Sequence, residues 1–194
     1  MLESEYQPRR VLPYHLRKPV EPERPFSFTI RDAVFTDLPE VREIYNYYVA
    51  NSSVTFDSDA MTQAEWARKF GMLQKFRMPF VVAEAPTGQI LGYALASPIR
   101  ERRMARTVAE NSIYLGPAAT GKGLGRELMT ALIEKSRALG LRELVAIIAD
   151  KNAEGSLKLH LDFGFVEIGR MGKVGFKFGR HLGSIMLQKS LKKG

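Results

Sequence analysis

The chain contains no cysteine. That excludes disulfides, thiolate metal sites and cysteine nucleophiles, and disfavours chemistry that passes through a covalent enzyme intermediate. Histidine is scarce, with only His15, His160 and His181. None has acidic partners at ligand spacing, and no metal site is expected. No run approaches the ~18 apolar residues of a membrane span. Met1 to Pro25 lacks the apolar core of a signal peptide and is charged and broken by prolines. A soluble, cytoplasmic protein that does not engage a membrane is the expectation.

What is present suffices for one core. The chain has 194 residues, 45% of them hydrophobic. Residues 1–25 carry Pro8, Pro13, Pro19, Pro22 and Pro25 and read as an irregular N-terminal arm. Residues 26–194 read as a single domain. The net charge is +8, yet the arm is nearly neutral. The excess lies in Arg100–Arg142 and Arg170–Lys193. A small polyanionic ligand fits that placement, as would nucleic acid or a merely solvated basic surface. Aromatic pairs interleaved with the basic residues are missing, which argues against nucleic acid.

Taken in order, Phe26–Arg31 alternates as a strand. Asp37 is expected to cap a helix, with Glu40 completing a capping box and Pro39 in the first turn. Leu38, Val41, Ile44, Tyr45, Tyr48 and Val49 keep helical spacing. Met61–Gln74 reads as a second helix with Trp66 and Phe70 on one face. Strands at Phe80–Glu84 and Gln89–Ala96 flank the hairpin signal Thr87-Gly88. A strand follows at 107–115, and then a long helix with Leu124, Leu128, Leu132 and Leu139 inward, ending at Gly140. Glu143–Ala149 is a β-branched buried strand and Ala153–Phe163 a helix. Phe165–Arg170 and Ser184–Lys189 are closing strands. The order β-α-α-β-β-β-α-β-α-β-β implies a mixed α/β fold on one central sheet.

One stretch organises the rest. Val108–Leu115 is a strand bearing one carboxylate, Glu110. Gly121-Lys-Gly-Leu-Gly-Arg126 follows as a glycine turn into a helix. Main-chain N–H groups and a helix N-terminus there favour an anion, most commonly phosphate. A P-loop is disfavoured because Gly123 stands where Ser or Thr is needed for magnesium. A dinucleotide fingerprint is disfavoured because Arg126 or Leu128 takes its last glycine position.

A third reading rests on similarity. Gly121–Arg126, with Gly123 and Gly125, resembles the pyrophosphate loop of the GCN5-related N-acetyltransferases, the GNAT family. Asn152…Ser156…His160-Leu-Asp-Phe-Gly-Phe165 resembles that family's second cofactor segment. Residues 27–190 are similar overall, and more specifically to phosphinothricin and methionine sulfone/sulfoximine acetyltransferases. The carrying motifs are Tyr45–Phe56, Thr107–Leu115, Lys177-Phe-Gly-Arg180 and a histidine at 160. Departures are Thr120 where Gln or Arg is usual, Ala105 in place of an aromatic, and His181 and Gly183 in place of a tryptophan and an acidic or polar residue. The last two positions are expected to shape the substrate pocket. One extra residue between Asn152 and His160 implies a displaced Asn152 contact.

The resemblance implies a GNAT fold of about seven strands and four helices. It also implies an acetyl-CoA-dependent transferase acting on a small-molecule amine, commonly as a homodimer. Glu110 is then the general base that removes the proton of an α-ammonium of pKa about 8. His160 acts near the leaving thiolate or orders water. Ile113, Tyr114 and Leu115 lend backbone groups to the pantetheine arm, and the Leu115 N–H faces the developing oxyanion. Gly121, Lys122, Gly123, Leu124, Gly125 and Arg126 hold the pyrophosphate, while Asn152 and Ser156 touch the cofactor. Phe56, Arg103, Met104, Ala105, Arg106 and Lys177 form the substrate side, where a carboxylate or phosphinate calls for a cation. The residues themselves also allow plainer roles: Asn152 as a helix cap, Phe56 as core, Glu110 paired with an arginine. Acetylation of a protein amine or polyamine, and a silent coenzyme-binding module, are the rivals.

Overall fold

The computed structural model describes residues 26–99 and 107–192. The arm 1–25 and the substrate-side residues Arg103, Met104, Ala105 and Arg106 lie outside the described residues. The elements are β1 (Thr29–Asp32), α1 (Leu38–Asn51), α2 (Gln63–Lys75), β2 (Phe80–Glu84), β3 (Ile90–Pro98) and β4 (Val108–Leu115). They continue as α3 (Leu124–Ala138), β5 (Glu143–Ala149), α4 (Glu154–Asp162), β6 (Val166–Lys177) and β7 (Arg180–Ser190). The seven strands form one sheet in the order β1-β2-β3-β4-β5-β7-β6. All neighbours are antiparallel except β4 and β5. The order of elements is the one expected.

Several local expectations fail for identifiable reasons. Asp37 does not cap α1 with its side chain. Its carboxylate instead accepts two hydrogen bonds from Arg31, at 2.7 and 2.9 Å, and one from the Val34 N–H. Glu40 reaches across to accept from the Ile90 N–H at 2.9 Å. The reciprocal capping box lies at α2: the Thr62 hydroxyl accepts from the Glu65 N–H, and the Glu65 carboxylate accepts from the Thr62 N–H. Leu139 is exposed, and α3 buries Leu124, Leu128, Met129, Leu132 and Ile133 instead. Gly140, at φ +88°, ends the helix as expected, with the Leu141 N–H returning to the Ser136 carbonyl.

The β6–β7 hairpin is longer than its sequence pattern. Register shifts between Glu167 and Gly169 and between Met171 and Gly175 break the alternation that marks a strand. Its two-residue turn is Phe178-Gly179, with φ of 50° and 74°. Both residues have the positive φ of a type I′ turn, but a phenylalanine is not its usual signal.

The core lies between sheet and helices. β2 contributes Val81, Val82 and Ala83, buried on both faces. α3 packs on β2, β3 and β4, α1 on β3 and β4, and α4 on β5. Trp66, fully buried, joins Tyr45, Phe80 and Tyr93 in an aromatic cluster with centroids 5.6–6.4 Å from its own.

Candidate active site

The parallel pair in the sheet parts early. β4 and β5 pair at Val108↔Glu143, Ala109↔Leu144 and Glu110↔Val145, and no further. β4 nevertheless runs on to Leu115 while β5 stays paired with β7 through Ala149. Separating strands leave backbone groups unpaired and open a cleft between them. Glu110 sits on the last paired rung. A cavity of ≈ 960 Å³ fills the gap and is lined along β4 from Glu110 to Leu115 and along β5 by Ala146, Ile147 and Ile148.

Alternation along β4 sorts its side chains onto two faces. Tyr114 points to α1, its ring 5.2 Å from Tyr45, and it stacks on Tyr93 at 5.6 Å. Glu110 shares that parity. Asn111 has the opposite parity and meets α4, where its Nδ2–H donates to His160 Nε2 at 2.9 Å. Leu115 shares the parity of Asn111 and lies beside Gly125 of α3. Glu110 and His160 thus line one cavity from opposite faces of the sheet.

At the α3 end the cavity is lined by Gly121, Gly123, Gly125 and Arg126. Gly121 and Gly123 have φ of +74° and +81°, and a Cβ on either would meet nothing within 4 Å. Backbone conformation, rather than crowding, requires glycine there, and the absent side chains leave the main chain open. The N–H groups of Leu124 and Gly125 have no acceptor among the described residues. Two free donors at a helix N-terminus, beside left-handed glycines, suit a phosphate.

The carboxyl of Glu110 is raised above its usual value by burial, an effect held back by the nearby Lys69 ammonium. Burial also raises the tyrosines clustered on that face, Tyr45, Tyr48, Tyr93 and Tyr114. Tyr114 is pushed up to about 12, and Tyr45, whose hydroxyl donates to Asp57, still higher.

A model of the acetyltransferase (GNAT) family matches residues 39–165. The chain belongs to the GNAT acetyltransferases. It is 34% identical over 166 residues to the phosphinothricin N-acetyltransferase of Alcaligenes faecalis, covering 86% of this chain and 84% of that one. It is 38% identical over 165 residues to the L-methionine sulfoximine/L-methionine sulfone acetyltransferase of Pseudomonas paraeruginosa, covering 85% and 95%. Among solved structures, a GNAT phosphinothricin acetyltransferase from Sinorhizobium meliloti in complex with acetyl-CoA matches with a TM-score of 0.82 and 38% identity, covering 87% and 91%.

Of the residues expected in this GNAT site, the cavity wall includes Glu110, Ile113, Tyr114, Leu115, Gly121, Gly123, Gly125, Arg126, Asn152, Ser156, His160 and Phe56. Lys122, Leu124 and Lys177 are not on it. Lys122 points its ammonium over the Phe26 ring at 4.6 Å. The Leu124 side chain is fully buried, so only its backbone can serve. Lys177 is buried and donates to the Thr55 carbonyl at 3.2 Å, which pins the loop that carries Phe56.

His160 has both ring nitrogens engaged. Nδ1 lies 2.7 Å from the Ser156 carbonyl, which can only accept, so the proton sits on Nδ1 and Nε2 accepts from Asn111. Burial lowers its pKa, opposed by the Ser156 contact, and the ring is neutral. Its contacts with Asn111 and Ser156 tie α4 to β4. Asn152 does not cap α4, whose N-cap is Ala153. With φ of 59° it turns its amide to donate to the Ser53 hydroxyl at 3.0 Å, tying the β5–α4 link to the α1–α2 link. His181 and Gly183 do not line the cavity. His181 packs on exposed Phe176, and a Cβ at Gly183 would lie 2.6 Å from the Asp150 carboxylate.

Sequence reasoning missed Tyr45, Asp57, Lys69 and Asn111, all on the wall. Asn111 had a signal in its adjacency to Glu110. Lys69 stands three residues after Trp66, on a helix read only for its apolar face.

Proposed function

We propose that this GNAT enzyme moves the acetyl group of acetyl-CoA directly to the primary amine of a small amino-acid-like substrate, in the class of phosphinothricin, methionine sulfone and methionine sulfoximine. One observation carries the reading: Glu110, its pKa raised by burial, lies where β4 and β5 part, in the same cavity as the left-handed glycine turn. The residues fit the cofactor. Free N–H groups at Leu124 and Gly125 suit its phosphates. The Asn111 Oδ1, buried without a partner, suits an amide N–H of its pantetheine arm.

The bound thioester supplies an activated acetyl group. The chain's own part is to prepare the amine. An α-ammonium of pKa about 8 is mostly protonated at neutral pH and cannot attack. Glu110 takes that proton, and its raised pKa makes it a better base than a solvated carboxylate. Phe56, held by Lys177 behind it and seated against Gly175, walls the amine side. We also assign substrate binding to Arg103, Met104, Ala105 and Arg106, which lie outside the described residues, and β4 donors around Leu115 face the charge that develops on oxygen. His160 and Asn111 hold the two walls of the cleft in register.

We further propose a cytoplasmic homodimer. β6 is an edge strand whose exposed Val166, Ile168 and Phe176, with Phe178 in the turn that follows, suit a second chain, and light scattering reads the mass. Activity is tested by thiol release from acetyl-CoA over phosphinothricin, methionine sulfone, common amino acids, polyamines and peptides. Thiol release with the amino acids is the expected result. Release only with polyamines or peptides refutes the substrate class. Tight coenzyme A binding with no release refutes turnover.

A further inference from the structure

The charged side chains that line the cavity fall into two groups. Three described lysine or arginine residues line it: Lys69, Arg126 and Lys158. Arg126 and Lys158 both hold Asp162, at 3.0 and 3.1 Å, next to the glycine turn. Lys69 lies on α2, on the face of the sheet that carries Glu110. Its ammonium has no hydrogen bond and no carboxylate within 4.0 Å among the described residues, and it rests 5.2 Å from the centroid of the buried Trp66 ring. Besides Asp162, two carboxylates line the cavity, Glu110 and Asp57, and Asp57 accepts from the Tyr45 hydroxyl.

An ammonium in a cleft with no carboxylate in direct contact is only partly compensated, and a ligand anion that reaches it is favoured. Burial lowers the pKa of Lys69, while Glu110 and Asp57 act to raise it. A direct ion pair with Glu110 would quench the base. The separation leaves a cation and a basic carboxylate both available to one ligand. An α-amino acid carries the matching pair, an ammonium and a carboxylate on one carbon. A polyamine offers Lys69 only like charge, and an amine deep within a peptide chain has no neighbouring carboxylate.

We propose that Lys69 is the specificity residue that receives the carboxylate of the amino-acid substrate while Glu110 receives its amine. This rests on the substrate reading above. The Trp66 ring beneath fixes the stem, so the charge is presented rather than left to wander.

The test compares methionine sulfone with its carboxamide in the thiol-release assay, using the wild type, Lys69→Met and Lys69→Arg. Coenzyme A affinity by calorimetry serves as the control for folding. Losing one charged hydrogen bond costs about 10- to 100-fold. Lys69→Met is expected to lower kcat/KM for the acid by that amount, mainly through KM, and to leave the amide within about threefold. Lys69→Arg is expected to restore most of the acid activity, and all variants to bind coenzyme A alike. Equal losses for acid and amide, or no loss for either, overturn the inference while the substrate class stands. A wild type that acetylates no amino acid overturns the substrate class first, and the role of Lys69 with it.

Discussion

Replacing Glu110 by glutamine isolates the proposed base. The side chain is half-buried on the last β4–β5 rung and makes no hydrogen bond or ion pair among the described residues. An amide of the same shape therefore breaks no contact and removes a buried charge, so stability should change by less than about 0.5 kcal/mol. The whole kinetic effect is then catalytic. Loss of a general base costs roughly 10²–10⁴-fold in turnover, or about 2.7–5.4 kcal/mol. The pH profile sharpens the test. Burial raises the folded pKa of Glu110, so wild-type kcat/KM should fall as pH drops through a value above the usual ~4.3 of a glutamate. In Glu110→Gln that limb should vanish. Only free amine can then react, and the rate should climb about tenfold per pH unit until about pH 8. The deficit against wild type should narrow with rising pH. Thiol release at fixed acetyl-CoA, from about pH 5.5 to about 9, measures all of this. A folded Glu110→Gln protein with wild-type turnover, or a deficit that does not change with pH, would refute the assignment.

Three further outcomes follow from the geometry. Gly123→Ala meets no atom within 4 Å but must hold φ +81°; it should cost about 1–2 kcal/mol of stability and weaken coenzyme A binding measured by calorimetry. His160→Ala should destabilise by about 1–3 kcal/mol through lost packing and a stranded amide, read as a lower melting temperature, yet leave the acid limb of the pH profile where Glu110 puts it; a vanished limb would assign a proton role to His160. Asp37→Asn should destabilise by about 1–2 kcal/mol at neutral pH in urea unfolding, since its partner Arg31 is partly solvated. Burial raises the Asp37 pKa, but the Arg31 and Val34 hydrogen bonds outweigh it and the net shift is downward. That stability is present above the unfolded value of about 3.9 and disappears as pH falls through the lower folded value, so wild type and variant should converge there.

The sequence by itself determined the order of elements, the carboxylate strand and the glycine turn. Each is local: strand alternation, helical spacing and the left-handed φ at Gly121 and Gly123 are set within a few residues of chain. Where local chemistry was ambiguous, long-range partners decided. Asp37 has the side chain of a helix cap, but Arg31 is the stronger competitor for it. The β6 strand is hidden in sequence because its register shifts destroy the period. Only the tertiary structure showed that β4 and β5 part after Glu110. Only it put Asn111 and His160 on one face and Glu110 with Lys69 on the other. Lys69 and Glu110 are far apart in the chain, with two strands between their elements. No local pattern links a surface-like helix lysine to a strand glutamate; the sheet brings them together because it pairs strands across that distance.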